Sequence, residues 1–310
     1  MRIIDMHCDL LAYLAKGGDL MNREARCSLP QLKEGNVAFQ VLAIFTETKK
    51  GSAASAAKQL ECYRMLLERE DFVEWKGELH STKIAVKPAI ENASGLCEEG
   101  ESLEHAFERL PPNSAYVSLT WNTENRFGGG NHTKVGLKRE GELLLTFLSG
   151  KGIAIDLSHT SDQLASDIFE YIDKKGLQLT PIASHSNLRS IEKDPRNLPD
   201  EFAQEIFRRG GVIGLNMVRK FLPKKPPGGF LENVDKVREL GGISQVGFGA
   251  DFFYDGTVAP MLHHLLPFFY KEFGDASCYP LLLEEVPTQE REMLAHKNLE
   301  AFFKKEAVCT

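Results

Sequence analysis

The chain contains no apolar stretch long enough to span a bilayer and no charged-then-apolar leader at its start, and it has no basic excess. Lys and Arg total 37 against 44 Asp and Glu, a formal charge of −7. The one positive cluster, Arg219 to Lys225, is broken by Pro223 and followed by Pro226 and Pro227. Neither nucleic acid nor a membrane is an expected partner, and a cytoplasmic location is the expectation. The cysteines, Cys8, Cys27, Cys62, Cys97, Cys278 and Cys309, include no C-x-x-C pair. That argues against a zinc knuckle and against a disulfide framework, and predicts reduced thiols, most of them buried. A G-x-G-x-x-G after the first apolar run is also missing, which removes the main support for a doubly wound, dinucleotide-binding sheet. No internal repeat, low-complexity tract or Pro/Gly/Ser-rich linker divides the chain.

What is present is enough apolar sequence for a large core: 42% of 310 residues are hydrophobic. Apolar runs of strand length recur as RIIDM, VAFQVLAIF, KIAVKPAIE, AYVSLTWN, IAIDLSH, TPIASHS, VIGLNMV and QVGFGADF. Several are too apolar for a half-exposed strand and suit parallel strands covered on both faces. Between them lie amphipathic segments such as SDQLASDIFEYIDKKG and PDEFAQEIFRRGG, several opening at Ser or Asp and closing on Gly as helix caps do. Eight strands alternating with helices predict an α/β fold, a (β/α)8 TIM-type barrel. The expected organisation is one barrel domain over residues 1–310, with a long loop and a C-terminal helical segment after the eighth strand, from about residue 252.

The ionisable residues are placed unevenly. In DMHCD, alternation along a strand predicts that Asp5, His7 and Asp9 share one face. His7 and Asp9, Glu91, His159, His185 and Asp251 all fall at C-terminal ends of predicted strands, the rim where barrel enzymes build active sites. Any one of these histidines alone reads best as a core or capping residue, but core and capping roles would not select one rim. Three imidazoles with nearby carboxylates suit zinc or a similar divalent ion. One zinc needs only three or four protein ligands, so two ions bridged by one carboxylate fit this inventory better.

DMHCD, AIEN, DLSHTS, SHS followed by PRNLPD, and VGFGADF, in this order, resemble the membrane (renal) dipeptidase family of zinc peptidases, in its soluble bacterial form, over nearly the whole chain. The resemblance implies a barrel of the metallo-dependent hydrolase kind and a dipeptidase with two divalent ions, zinc by analogy, acting on small peptides that can carry a D-residue at the C-terminal side. It implies that His7 and Asp9 bind one ion, His159 and His185 the other, and that Glu91 bridges them. Asp251 matches the acid/base aspartate, Arg196 the arginine that receives the substrate's terminal carboxylate, and Asp5 an aspartate that orients a ligand. Dimers are common among relatives, so a homodimer is the corresponding expectation.

Two departures stand out. The better-known members read L-T-H-N after the fourth strand, with a histidine assigned to the tetrahedral intermediate, where this chain has Leu119-Thr120-Trp121-Asn122. Asn122, or His132 in the loop RFGGGNHTKVG, is the candidate replacement. After Asp251 the usual D-F-D-G is extended to Asp251-Phe252-Phe253-Tyr254-Asp255-Gly256. Adjacent His263 and His264 point apart on any regular element and are not expected to chelate one ion. Phe252, Phe253, Phe268, Phe269 and Tyr270 are expected mainly in packing, and Lys87, of the same strand parity as Glu91, either near the site or at a solvated strand end. Two other functions compete. A barrel amidohydrolase acting on a non-peptide amide would favour H-x-H on the first strand and a lysine ending the fourth, neither of which is here. A non-catalytic metal- or peptide-binding descendant draws its support from Trp121.

Overall fold

The computed structural model describes residues 1–258 and 264–308; His263 and Cys309 lie outside that set. Nine parallel strands form one sheet: β1 (Ile3–Cys8), β2 (Val37–Phe45), β3 (Phe72–Glu74), β4 (Ile84–Glu91), β5 (Tyr116–Ser118), β6 (Ala154–Asp156), β7 (Pro181–Ile182), β8 (Ile213–Leu215) and β9 (Val246–Phe248). Eight run in the order β7-β6-β5-β4-β2-β1-β9-β8, and β3 pairs only with β4. The ring closes between β7 and β8, where the Ala183 N–H donates to the Val212 carbonyl at 3.1 Å and the Gly214 N–H to the Ala183 carbonyl at 2.8 Å. Each of the eight apolar runs supplies one barrel strand; the short β3, FVE, is too brief to show a period.

The helices are α1 (Leu10–Leu14), α2 (Leu29–Glu34), α3 (Ser52–Leu67), α4 (Glu104–Arg109), α5 (Arg139–Leu148), α6 (Asp162–Lys175), α7 (Asp200–Arg208), α8 (Gly228–Glu239), α9 (Tyr279–Glu284), α10 (Thr288–Glu292) and α11 (Asn298–Val308). None of the described helices is long and apolar enough to cross a membrane. α6 shows why these segments start and stop where they do. The Ser161 hydroxyl accepts from the Leu164 N–H at its start, and Gly176, at φ 61°, ends it in the left-handed conformation. α1 and α2 were not legible as periodic segments; α2 is set by a capping box of Ser28 and Gln31.

Two buried layers result. Outward-facing strand residues such as Ile3, Leu42, Ile44, Val86 and Ile90 pack under the helices. Inside the ring, Ile4, Met6, Phe39, Val41, Ala85 and Ala89 meet Trp75 and the α11 side chains Leu299, Phe302 and Phe303. Phe39 stacks on Trp75 at 4.5 Å and meets Phe303 edge-on at 4.9 Å. Apolar packing thus fills the floor of the barrel and leaves the opposite end for polar groups. Lys87 is inside as well, buried, its pKa lowered by desolvation against the opposing charges of Glu306 and Glu74. It is therefore not at a solvated strand end. Cys8, Cys27, Cys62, Cys97 and Cys278 are free thiols, all buried except the half-buried Cys62.

Candidate metal centre and substrate cleft

Because all strands are parallel, the residues at or just after their C-terminal ends collect on one rim. His7 comes from β1, Asp9 from the turn into α1, Glu91 from the last position of β4, and His159, His185 and Asp251 from the third positions after β6, β7 and β9. Glu91 Oε2 lies 3.3 Å from His7 Nε2, and its Oε1 lies 2.9 Å from His159 Nε2 and 3.7 Å from His185 Nε2. Asp251 Oδ1 lies 3.7 Å from His7 Nε2. Two trios of ligand atoms, His7–Asp9–Glu91 and Glu91–His159–His185, each fall within 4.8 Å and share Glu91; His7, His185 and Asp251 form a third.

The far side of each imidazole is held so that Nε2 faces the centre with its lone pair. The Tyr116 hydroxyl donates to the Met6 carbonyl at 3.1 Å and so accepts from His7 Nδ1–H at 2.7 Å. The Ser184 hydroxyl donates to Asp156 at 2.7 Å and accepts from His185 Nδ1–H at 2.6 Å. The Asn122 side-chain oxygen Oδ1, which can only accept, takes His159 Nδ1–H at 3.0 Å. Such fixation of the tautomer by a group behind the ring is how ligating histidines are oriented.

A divalent cation fits this donor set. His7 Nε2, Asp9 Oδ1 and Glu91 Oε2 are buried, have no hydrogen-bond partner, and belong to one trio. Burying such atoms unsatisfied is costly unless something positive sits among them. The charge balance points the same way. Burial alone would lower the His7 pKa, yet Glu91, with Asp9 and Asp251, raises it to about 10, which shows how strongly the carboxylates call for positive charge at this point. Burial and the neighbouring Arg196 pull His159 down to about 4. Burial, reinforced by Glu91 and opposed by His7 and Arg196, lifts Asp251 to about 6.

Above the cluster opens a cleft of about 280 Å3, lined by Tyr13, Phe45, Trp121, Arg196, Phe221 and Tyr254 among others. Arg196 is 5% exposed; its guanidinium donates to Ser186 Oγ at 2.9 Å, to the His185 carbonyl at 2.9 Å and to His159 Nε2 at 3.2 Å, and rests on the Phe221 ring. Asp194 and Asp200, the loop carboxylates that could have claimed it, pair with Lys220 and Lys236. Arg196 therefore faces the cleft.

Residues 1–302 match the model of the membrane dipeptidase family, peptidase family M19. The chain belongs to that family. A family relative, Dipeptidase 3 of Macaca fascicularis, is 26% identical over 282 residues, 84% of this chain and 54% of that protein, so the chain spans about half its length. An uncharacterized protein in the pqqA 5' region of Klebsiella pneumoniae is 27% identical over 80% of this chain and 86% of its own. A metallopeptidase from Rhodobacter sphaeroides, liganded with a phosphinate mimic of the dipeptide L-Ala-D-Ala, superposes with a TM-score of 0.79 at 20% identity, over 98% of each chain; at that identity the likeness shows the fold.

In this M19 barrel the expected single face of Asp5, His7 and Asp9 is broken. Pairing of β1 with β2 shifts register between Asp5 and Cys8. Ile4 and Met6 point into the ring, and Ile3 and Cys8 out of it. Asp5 accepts from the Tyr279 hydroxyl at 2.6 Å, from the Ala250 N–H at 3.0 Å and from the His7 N–H at 3.2 Å. It anchors backbone on either side of the rim and orients no imidazole directly. Asn122 and His132 both border the cleft, but Asn122 spends its oxygen on His159, and His132 is exposed, with its N–H donating to the Asn122 carbonyl at 2.9 Å. Trp121 lies edge-on to Phe45 at 5.1 Å and beside His159 at 6.1 Å. The extended segment after Asp251 divides its side chains: Phe252 is buried, Phe253 and Tyr254 line the cleft, and Asp255 pairs with Arg26 at 2.6 Å. Asn131 also lines the cleft and is 9% exposed. An asparagine in a glycine-rich loop carries no signal that would have singled it out.

Proposed function

We propose that this chain is a metal-dependent dipeptidase that hydrolyses the peptide bond of short peptides bearing a free C-terminal carboxylate. The observation that carries the reading is Glu91, whose two carboxylate oxygens face different histidines and so join two ligand trios. His7 and Asp9 would hold one divalent ion, His159 and His185 the other, with Glu91 common to both, and zinc suits the nitrogen-rich set. Such ions supply Lewis acidity and bring the pKa of water toward neutrality.

The chain's own groups do the rest. Asp251 is held through Oδ2 by the Asn216 amide at 2.9 Å, leaving Oδ1 toward His7. From there it takes the proton of the attacking water and passes it to the leaving amine. Arg196, planar and permanently charged, binds the terminal carboxylate, with Ser186 and the His185 carbonyl fixing its orientation. A cleft of about 280 Å3 lies at the small end of ligand sites and favours short peptides. The residues after β9 are taken as part of the same barrel domain, since α11 fills its floor.

The test is turnover of a dipeptide panel, including peptides with a C-terminal D-residue as in the ligand of the Rhodobacter enzyme, each beside its C-terminal amide. Wild type should cleave free dipeptides and prefer them to amides. Arg196→Met should raise KM at least tenfold for free dipeptides with a smaller change for amides, because the amide never offered a full charge. No hydrolysis by metal-loaded protein would sink the reading; equal effects on both substrate types would remove the carboxylate clamp.

A further inference from the structure

We infer that Asn131 receives the free α-ammonium group of the substrate, which restricts this site to peptides with an unblocked N-terminus; the inference rests on the dipeptidase reading above. Asn131 lines the cleft, and its side-chain oxygen is buried with no hydrogen-bond partner. Its backbone is pinned to the machinery. The Asn131 N–H donates to the His159 carbonyl at 3.0 Å, His132 N–H to the Asn122 carbonyl at 2.9 Å, and Gly130 N–H to the Thr123 carbonyl at 3.1 Å. A Cβ on Gly130 would come within 1.9 Å of the Trp121 carbonyl oxygen, so only glycine lets the loop approach this closely. The loop therefore delivers one buried acceptor to the cleft and holds it there.

An acceptor without a partner calls for a donor. A free dipeptide offers two kinds of N–H, the scissile amide and the ammonium. The scissile nitrogen keeps its own N–H and takes a second proton from Asp251 as it leaves, so it has to lie within reach of that carboxylate, which follows β9, whereas the Asn131 loop follows β5. The ammonium is left for Asn131. The cleft also presents Phe45, Glu47 and Trp121, aromatic faces and a carboxylate that tolerate a cation, from the segments after β2 and β5, whereas Arg196 and Lys220 come from those after β7 and β8; Lys16 and Asp194 line it as well.

The test compares a good dipeptide with its des-amino analogue, identical except for hydrogen in place of the ammonium, in wild type, Asn131→Ala and Asn131→Asp. Asn131→Ala should lose about 10- to 100-fold in kcat/KM on the dipeptide, the range for a hydrogen bond to a charged group, and less than threefold on the analogue. Asn131→Asp should restore or strengthen the preference for the amine, a result that loop disruption would not give. A second arm measures binding by calorimetry, using a phosphinate dipeptide mimic with and without its amine. It reads the same preference without turnover, so an inactive wild type would overturn the dipeptidase reading while the binding arm still decides this one. Equal losses on both ligands in Asn131→Ala, or equal affinity of wild type for the two phosphinates, would overturn the role of Asn131.

Discussion

Asp251 has a backbone conformation that few aspartates adopt. Its φ is 61°, in the left-handed region, and its N–H is bonded to the His7 carbonyl at 3.2 Å. Strain of this kind persists where surrounding structure insists on it, and at Asp251 it turns a carboxylate from a strand end toward the cluster. Asn tolerates the same region, so Asp251→Asn should fold normally. It should keep its metal content and lose about 10²–10⁴-fold in kcat on a dipeptide, since an amide accepts no proton. Glu91→Gln should instead lose metal from both positions, because its oxygens serve both trios. Elemental analysis beside kinetics separates the two roles. Loss of metal in Asp251→Asn would make it a ligand, consistent with its place in the third trio.

Among the elements, β5, β6 and β7 are short, and their ends are held by one side chain. Asp156, the last residue of β6, accepts from the Ser118 hydroxyl at 2.7 Å, the Ser158 N–H and hydroxyl at 3.2 and 2.9 Å, and the Ser184 N–H and hydroxyl at 2.7 Å each. Through Ser184 this network reaches His185 Nδ1. Strands of two or three residues supply few ladder bonds, so a buried carboxylate binding three of them does what length would do elsewhere. Asp156→Ala should cost about 3 kcal/mol or more in denaturant unfolding, because several buried donors lose their acceptor. It should also weaken metal binding about 10- to 100-fold in a chelator competition, since His185 loses the support behind its ring. Unchanged metal affinity would confine Asp156 to holding strands.

For the whole molecule, the division of the barrel into an apolar floor and a polar rim has a consequence for metal removal. The floor, built from Phe39, Trp75, Leu299 and Phe303 among others, does not depend on the rim, so the chelated protein should stay folded. It should nevertheless be less stable, since an ion that binds only the folded state contributes about 2.7 kcal/mol at a hundredfold excess over Kd. For a chain of this size that amounts to roughly 4 °C in Tm. Thermal unfolding with and without chelator checks this; no shift would mean that the cluster holds no ion. Full unfolding on chelation would mean that the ions carry the fold.

Sequence by itself determined the barrel, because eight apolar runs separated by amphipathic, capped segments leave few other ways to bury that surface. It also determined the ring of His7, Asp9, Glu91, His159, His185 and Asp251, since parallel strands deliver their C-terminal ends to one rim and strand ends are legible locally. What it could not decide were matters of register and approach. The shift between β1 and β2 that separates Asp5 from His7 depends on pairing with residues more than thirty positions away. The burial of Lys87 depends on α11 closing the floor from the far end of the chain. The approach of the loop that brings Asn131 and His132 beside Asn122 depends on Gly130 packing against the Trp121 backbone. Periodicity reports which way a side chain faces along an unbroken strand, whereas breaks in register and close contacts between loops are set by partners distant in sequence, and only the tertiary structure decides them.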